Sequence, residues 1–528
     1  MKNKLSKIFS IRTIVFVILL LEIVGAFLLY IFAEQYFMYI RSILSIAAII
    51  TALIVFYSKR SNSYKVPWLL LIAVLPIFSS VCYLLFSDKK LSKKDRKKYQ
   101  PTRKALKIAN ANKQSRNAFY KIDKDKDPNA YYFGKYLNDY SDSGIFQNTK
   151  ITYFPTGQEA FIKMKEKLES AKHYIFFEYF IVAEGKMWDE ILEILKRKAN
   201  EGLDVRVLYD DFGSLTTLPN NHYLTLRKYG IKSYAVNKIR PIVDVRMNNR
   251  DHRKILVIDG HTSFTGGINI ADEYIGEKIR FGVWKDNAIM LEGDGTFGLT
   301  SLFLSTWVRF STEEKEITDF SNFLPSKYEK ELGRISRQDG YVSSYGSGPD
   351  TYESVGANVY LNLIYKAKKS IFITTPYLIL DEEICDALKN AAKGGIEVVI
   401  VTPHIPDKKM VFDLTRSYYK ELIDTGVKIY EYTPGFIHQK VFLVDDYMAT
   451  IGTVNLDFRS LFLHFENGCF IYKNKVVEDI KKDFDNILIE SRMITKEMVN
   501  SSPLSKKLLR QILRIFASLL WLLIWMVM

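Results

Sequence analysis

One short motif occurs twice in this chain, and the repeat constrains the fold more than any other feature of the sequence. The motif is His-x-Lys-x-x-x-x-Asp, and its two copies consist of His252, Lys254 and Asp259 and of His438, Lys440 and Asp445. Each copy is followed by a similar tail that ends in an asparagine, Asn269 or Asn455. Two matching motifs in one chain predict an internal duplication whose halves build one composite active site.

The segments around the two motifs correspond as well. The strand-like run at 174–181 matches the run at 370–378, and residues 202–209 match residues 395–402. Helical patterns separate these β-branched runs, which is typical of βα units around a largely buried sheet. Apolar residues follow each motif lysine, so each histidine is expected at the beginning of a strand. The predicted fold class is therefore α/β, with two similar halves that form one catalytic domain.

Three apolar runs near the N-terminus cover residues 13–32, 40–57 and 66–86, each close to the ~20 residues that a helix needs to cross a bilayer core. They predict N-terminal transmembrane helices and a multi-pass protein of the cell membrane. Pro76 makes the third run the candidate for a broken helix. Basic residues flank the runs on both sides, and we favour a cytoplasmic catalytic domain.

The C-terminal segment joins basic residues to an apolar, aromatic end, which predicts insertion into the membrane interface. The alternative is a hydrophobic helix that docks on the protein's own core. The Lys-rich stretch before the catalytic region is interpreted as a linker or a peripheral helix. The predicted divisions are a transmembrane region at 1–88, a basic linker at 89–130, a first half at 131–335, a second half at 336–500 and a membrane-associated segment at 501–528.

Charge and composition narrow the choice of ligand. The formal net charge of +15 indicates an anionic partner, either nucleic acid or an acidic membrane surface. Three scattered cysteines indicate neither a disulfide framework nor a Cys-rich zinc site. The sequence also lacks HExxH spacing and a GxxxxGK[ST] phosphate loop, so neither a metal nor a cofactor is expected.

Two histidines and two lysines suit the chemistry of a phosphodiester. A catalyst must supply a strong nucleophile and neutralise the charge that builds up on the phosphoryl oxygens. One neutral imidazole can attack phosphorus and form a phosphohistidine, while the other donates a proton to the leaving alkoxide and later acts as a base. The groups expected around the non-bridging oxygens are Lys254, Lys440, Asn269 and Asn455.

Carboxylates are expected to orient the two imidazoles, because a carboxylate fixes the tautomer of histidine and raises its basicity. Asp286 and Glu466 occupy comparable places downstream of the two motifs and are predicted to do this. Asp259 and Asp445, although part of the motif, lie at the far ends of their strands, some 15 Å or more from the histidines at about 3.3 Å per residue. A structural role is expected for them.

These residues resemble the phospholipase D superfamily, whose signature is this duplicated motif. Further segments are similar to bacterial cardiolipin synthases of the phospholipase D type: residues 205–213, 375–378, 416–422 and 426–435. The resemblance implies transfer of a phosphatidyl group from one phosphatidylglycerol to another, which yields cardiolipin and glycerol. It also implies that His252 is the nucleophile and His438 the general acid and base.

Three alternative functions are compatible with some of these features. A membrane-bound phospholipase D that hydrolyses phospholipid to phosphatidic acid would use the same residues, because water and lipid alcohols compete for one phosphohistidine. A nuclease would explain the positive charge, but the apolar runs argue against it, and no nucleic acid partner is expected. A non-enzymatic scaffold would not need two intact motifs. The expected partners are phosphatidylglycerol and anionic membrane lipids.

Overall fold

The computed structural model describes residues 34–58, 62–87, 93–141, 143–238, 249–336, 338–350 and 353–517, together with residues 20, 24, 25 and 27. The chain divides into two compact units. Unit 1 consists of Met1–Lys89, Pro241–Asn248 and Ser502–Met528, and unit 2 consists of Lys90–Arg240 and Asn249–Ser501. Both copies of the motif lie in unit 2.

Unit 1 is helical in the part that the structure describes. Its helices are α1 (Glu34–Tyr57), α2 (Asn62–Val74), α3 (Pro76–Phe86) and, near the C-terminus, α18 (Leu504–Ile515), which contacts α2. The third apolar run is broken at Pro76, as predicted, because proline begins α3 and Leu75 leaves helical geometry. Nearly all of the first apolar run and residues 518–528 lie outside the described residues.

Within the described ranges, no helix is both long and apolar enough to cross a membrane, and the predicted spans are not confirmed there.

The first half of unit 2 builds a seven-stranded sheet in the order β1-β8-β6-β5-β2-β3-β4. Its strands, with the short β7, are β1 (Thr149–Phe154), β2 (Tyr174–Tyr179), β3 (Asp204–Asp210), β4 (Lys232–Val236), β5 (Lys254–Ile258), β6 (Thr262–Gly266), β7 (Val283–Lys285) and β8 (Ala288–Gly293). The helices from the start of unit 2 through this half are α4 (Lys93–Ala111), α5 (Pro128–Tyr140), α6 (Gly157–Glu169), α7 (Lys186–Asn200), α8 (His222–Lys228), α9 (Thr296–Phe310) and α10 (Pro325–Leu332).

The second half builds an eight-stranded sheet in the order β17-β12-β11-β10-β14-β15-β16-β9. Its strands, with the short β13, are β9 (Tyr341–Ser347), β10 (Ser370–Thr374), β11 (Glu397–Pro403), β12 (Lys428–Tyr432), β13 (Gly435–Ile437), β14 (Val441–Val444), β15 (Met448–Gly452), β16 (Glu466–Tyr472) and β17 (Ser491–Ile494). Its helices are α11 (Val355–Lys366), α12 (Glu382–Lys393), α13 (Lys409–Ser417), α14 (Tyr419–Asp424), α15 (Phe458–Phe462), α16 (Val476–Ile489) and α17 (Lys496–Asn500).

The two sheets repeat one topology, which confirms the predicted duplication of α/β halves. In each sheet a central strand, β2 or β10, pairs in parallel with the next strand and antiparallel with the strand that follows the motif histidine, β5 or β14. Short strands β13 and β7 pair in parallel and join the halves directly. One hydrophobic core contains buried residues of both halves, among them Val257, Leu291, Leu443 and Ile451.

The basic stretch before the first half contains an ordered helix. Helix α4 contacts α9, and its Leu106 is buried in the shared core of unit 2. The hydroxyl of Thr102 accepts a hydrogen bond from the backbone N–H of Ile317 at 3.2 Å. Part of the segment interpreted as a linker or peripheral helix is therefore packed into unit 2.

Candidate active site

The two motif histidines lie where the halves meet. The backbone N–H of His252 donates to the carbonyl oxygen of Phe465 at 2.8 Å, and that of His438 donates to the carbonyl oxygen of Lys285 at 2.7 Å. Each histidine precedes a fully buried strand of its own half, yet its main chain is bound to the other half. The site therefore exists only when both halves are folded against each other.

Carboxylates bind the imidazoles across the same boundary. Nδ1 of His252 lies 2.8 Å from Oε2 and 3.1 Å from Oε1 of Glu466, and Nδ1 of His438 lies 2.6 Å from Oδ2 of Asp286. All four side chains are buried. The structure brings both predicted carboxylates to the histidines, and each carboxylate belongs to the half opposite its histidine. With Nδ1 held in this way, Nε2 of each ring is the nitrogen left for chemistry.

The motif lysines are buried beside the histidines. Lys254 Nζ donates to the carbonyl oxygen of His252 at 2.9 Å, and Lys440 Nζ makes the equivalent bond to His438. Burial and, to a smaller extent, the nearby charge of Lys440 together lower the pKa of Lys254 to about 7. Burial also lowers the pKa of Lys440 to about 8. Two ammonium groups forced together in this way form a strong site for an anion.

Burial and the two lysines also act on the histidines. The pKa of His252 is well below its usual value because the ring is buried and lies near Lys254, Lys440 and His438. Burial and the charge of Lys440 lower the pKa of His438 to about 4. Burial acts to raise the pKa of Asp286, but His438 and Lys440 outweigh it and lower that pKa. Both imidazoles are thus neutral at pH 7, and an anion bound between the lysines favours protonation of one of them.

The two tail asparagines have different surroundings. Oδ1 of Asn269 accepts from the backbone N–H of Ile181 at 3.1 Å, and its Nδ2 donates to the hydroxyl of Tyr274 at 2.6 Å. Oδ1 of Asn455 is buried and has no hydrogen-bond partner within the described ranges. Asn269 therefore holds the loop after β2, while the amide oxygen of Asn455 remains available to a donor.

The motif aspartates lie away from this site, in the positions that fit the structural role expected for them. Asp259 accepts three backbone N–H groups of residues 172–174 at 2.7–2.8 Å, and Asp445 accepts those of residues 368–370 at 2.7–2.9 Å. Both residues adopt a φ of 52° in the turn after the motif strand. Each aspartate thus anchors the start of the central strand of its half, at the end opposite the histidine.

Sequence reasoning missed the role of the residue that follows Gly266 or Gly452 in the motif tail. Thr453 donates its hydroxyl to the Glu466 carboxylate. At the equivalent place in the first half stands Gly267, where an added Cβ would lie 2.0 Å from Oδ1 of Asp286. Thr453 therefore holds the Glu466 carboxylate, and the absence of a side chain at Gly267 leaves room for that of Asp286. The sequence signal for both residues is their equivalent position in the tails of the two motifs.

A group of three side chains in the described part of the chain could in principle ligate a metal. The ligand atoms of His252, His464 and Glu466 lie within 4.8 Å of one another. The Glu466 carboxylate is already bound to His252 and Thr453. The charges of Lys254 and Lys440 act on His252 in the same place. This environment suits an anion better than a metal cation.

Comparison with known protein families finds the same internal repeat. The family described as "Cardiolipin synthase, PLD-like domain" matches the chain twice, over residues 164–281 and 360–488. A second family, described as "Phospholipase_D-nuclease N-terminal", matches residues 43–87. The two matches to the first family fall one in each α/β half.

Relatives extend the likeness over most of the chain. The chain is 34% identical over 489 residues to a cardiolipin synthase of Halalkalibacterium halodurans, covering 90% of this chain and 93% of that protein. It is 42% identical over 464 residues to an uncharacterized protein of Streptococcus mutans, covering 88% of this chain and 98% of that protein. The chain belongs to the cardiolipin synthase family of the phospholipase D superfamily. The resemblance inferred from the paired motifs is thereby confirmed.

A solved structure with a similar fold is the crystal structure of phosphatidylserine synthase from Haemophilus influenzae Rd KW20. It matches with a TM-score of 0.53 and 18% identity, covering 72% of this chain and 95% of that chain. At this identity the likeness concerns the fold alone.

Proposed function

We propose that the protein is a cardiolipin synthase that transfers a phosphatidyl group from one phosphatidylglycerol to a second, which gives cardiolipin and glycerol. The observation that carries the proposal is the pair of buried histidines, each bound by a carboxylate of the opposite half, beside two buried lysines. This arrangement supplies a nucleophile, a proton donor and an anion site without a further group. Family membership supports the choice of a phospholipid substrate.

In the first step Nε2 of His252 attacks phosphorus, and the bond to the glycerol headgroup breaks. Glu466 accepts the Nδ1 proton of His252 in a hydrogen bond and stabilises the positive charge that develops on the ring. The departing alkoxide takes a proton from Nε2 of His438, which the bound phosphodiester anion has helped to keep protonated. The products of this step are a phosphatidyl-His252 and free glycerol.

In the second step the roles of acid and base reverse. Neutral His438 removes the proton from a glycerol hydroxyl of a second phosphatidylglycerol, whose oxygen attacks phosphorus as the P–N bond breaks. This regenerates neutral His252 and leaves His438 protonated for the next cycle. Lys254, Lys440 and the amide N–H groups of Asn455 donate to the non-bridging oxygens, whose charge is largest in both transition states.

The test of this proposal follows the products of labelled phosphatidylglycerol. We expect the purified, detergent-solubilised protein to form cardiolipin and glycerol in equal amounts, because each transfer releases one glycerol. The reaction should proceed with chelator present and no metal added, because the histidines and lysines supply the nucleophile, the acid and the anion site. Lipids are separated by chromatography and glycerol is assayed separately. Phosphatidic acid as the main product would instead identify a phospholipase D, because water would then be the acceptor.

We also propose that residues 1–88 and 501–528 attach the protein to the bacterial cell membrane, with residues 89–130 as a basic connection and the catalytic halves at 131–335 and 336–500 on the cytoplasmic face. Helix α1 supports this proposal, because it exposes a continuous set of apolar side chains that includes Ile43, Ile46, Ile50, Leu53 and Ile54. An exposed apolar surface of this extent is typical of contact with lipid. A chain attached to a bilayer meets lipid hydroxyl groups at high local concentration, which favours transfer over hydrolysis.

Helix α18 provides a test of the membrane proposal. It exposes Leu504, Leu508, Ile512 and Ile515 along one side, at spacings of three and four residues, while the basic Lys506 lies on another side. We expect a fluorophore on Leu508→Cys, in a Cys82→Ser background, to shift to the blue in vesicles that contain phosphatidylglycerol and to be quenched by brominated lipid. The matched label on Lys506→Cys should show a much smaller shift. Equal emission from the two positions would contradict interfacial insertion of α18.

A further inference from the structure

A third histidine lies in the candidate active site. His464 is 8% exposed, and its ring centroid lies 5.6 Å from that of His252. It stands two residues before Glu466, in the segment whose Phe465 carbonyl oxygen binds the backbone N–H of His252. The segment 464–466 thus surrounds His252 on the side of the orienting carboxylate.

In the part of the chain that the structure describes, Nε2 of His464 has no protein partner, and Nδ1 faces only the Glu466 carboxylate. Both ring nitrogens are buried and without a hydrogen bond. Nδ1 lies 3.5 Å from Oε1 of Glu466, without the geometry of a hydrogen bond, and that carboxylate is already bound by His252 and Thr453. A buried polar group left without a partner destabilises the folded state. An unsatisfied group of this kind in a native protein needs an explanation, and a ligand bound in the candidate active site supplies one.

The equivalent position in the first half shows what is particular to His464. Trp284 stands two residues before Asp286, and its ring lies 5.6 Å from His438. The rings of Phe436 and Tyr274, each 5.8 Å away, also surround His438. The surroundings of His438 are therefore aromatic, whereas those of His252 contain a second imidazole. The two halves share a backbone plan but differ in polarity beside their histidines.

We propose that His464 is a phosphoryl-binding residue, which donates its Nε2–H to a non-bridging oxygen of the phosphoryl group while that group is attached to His252. This inference rests on the proposed phosphohistidine at His252. The ligand class is a phosphodiester monoanion, because its non-bridging oxygens are the acceptors that remain next to His252 when the alcohol leaves from the opposite side. His464 thereby adds one hydrogen-bond donor, beyond the two lysines, to the phosphoryl group on His252.

The test compares His464→Leu, which removes both ring nitrogens, with His464→Asn, which keeps an N–H donor. His222→Leu is a matched control, because His222 is 7% exposed, has an unpaired Nε2 and packs beside Trp188 in the core of the first half. Each full-length variant is assayed for cardiolipin formation and for turnover of bis(p-nitrophenyl) phosphate. Rates are normalised to the folded fraction from thermal unfolding.

We expect His464→Leu to lose about 100-fold in both reactions relative to His222→Leu, as for removal of one oxyanion donor. We expect His464→Asn to retain activity within about tenfold of the parent protein. The inference is overturned if His464→Leu matches His222→Leu in both reactions, or if His464→Asn is as inactive as His464→Leu. A parent protein that turns over the nitrophenyl diester in a His464-dependent way but forms no cardiolipin would reject the proposed function and keep the inference.

Discussion

Replacing His252 or His438 by Ala abolishes cardiolipin synthesis, with an expected loss of about 10⁴-fold or more, because each imidazole takes part in both steps. Neither loss is expected to come from unfolding. Each buried imidazole binds a carboxylate of the opposite half, and removing it leaves the two α/β sheets and their shared core unchanged in composition. The measurement is the initial rate of cardiolipin formation, with the folded fraction of each variant determined in parallel.

The two variants differ in their reaction with a diester whose leaving group needs no proton. With bis(p-nitrophenyl) phosphate, His438→Ala should still release one equivalent of nitrophenolate and accumulate a covalent phosphoryl-enzyme, since its nucleophile is intact. His252→Ala should release none. A burst in His252→Ala and none in His438→Ala would show that the nucleophile and the acid are the reverse of this assignment.

The duplication was evident from the sequence because it repeats residues at fixed spacing. The motif, its tail and the strand-like runs at 174–181 and 370–378 indicate two related halves, and both sheets have the same central pairing. The distant position of the motif aspartates was also predictable, because a strand of known rise separates each of them from its histidine. Local chain geometry was sufficient for both conclusions.

The exchange of carboxylates between the halves was not predictable in the same way. Asp286 follows His252 in sequence, and Glu466 follows His438, so sequence order places each carboxylate with the histidine of its own half. The structure reverses this pairing, because β7 and β13 pair across the halves and carry Lys285 next to His438. Only the long-range pairing of strands determines which carboxylate meets which histidine.

The second prediction with a large expected effect concerns the two carboxylates, each of which binds the histidine of the opposite half. Replacing Asp286 by Asn or Glu466 by Gln keeps the shape of the side chain but removes the charge that holds the Nδ1 proton of the opposite histidine. We expect each variant to lose about 10³- to 10⁴-fold in cardiolipin formation, by analogy with the orienting aspartate of hydrolytic triads. Because the pairs cross, Glu466→Gln should impair the nitrophenolate burst that depends on His252. Asp286→Asn should leave that burst largely intact, since it acts on His438.

The matched control is Glu431→Gln, which alters another buried carboxylate bound to a histidine. Oε2 of Glu431 lies 3.0 Å from Nδ1 of His404, and the carboxylate also binds Arg416 through two hydrogen bonds of 2.7 and 2.8 Å. Its loss should lower thermal stability without changing the rate per folded molecule, because neither partner belongs to the candidate site. If instead Asp286→Asn abolishes the burst and Glu466→Gln preserves it, each carboxylate serves the histidine of its own half, and the crossed arrangement is wrong.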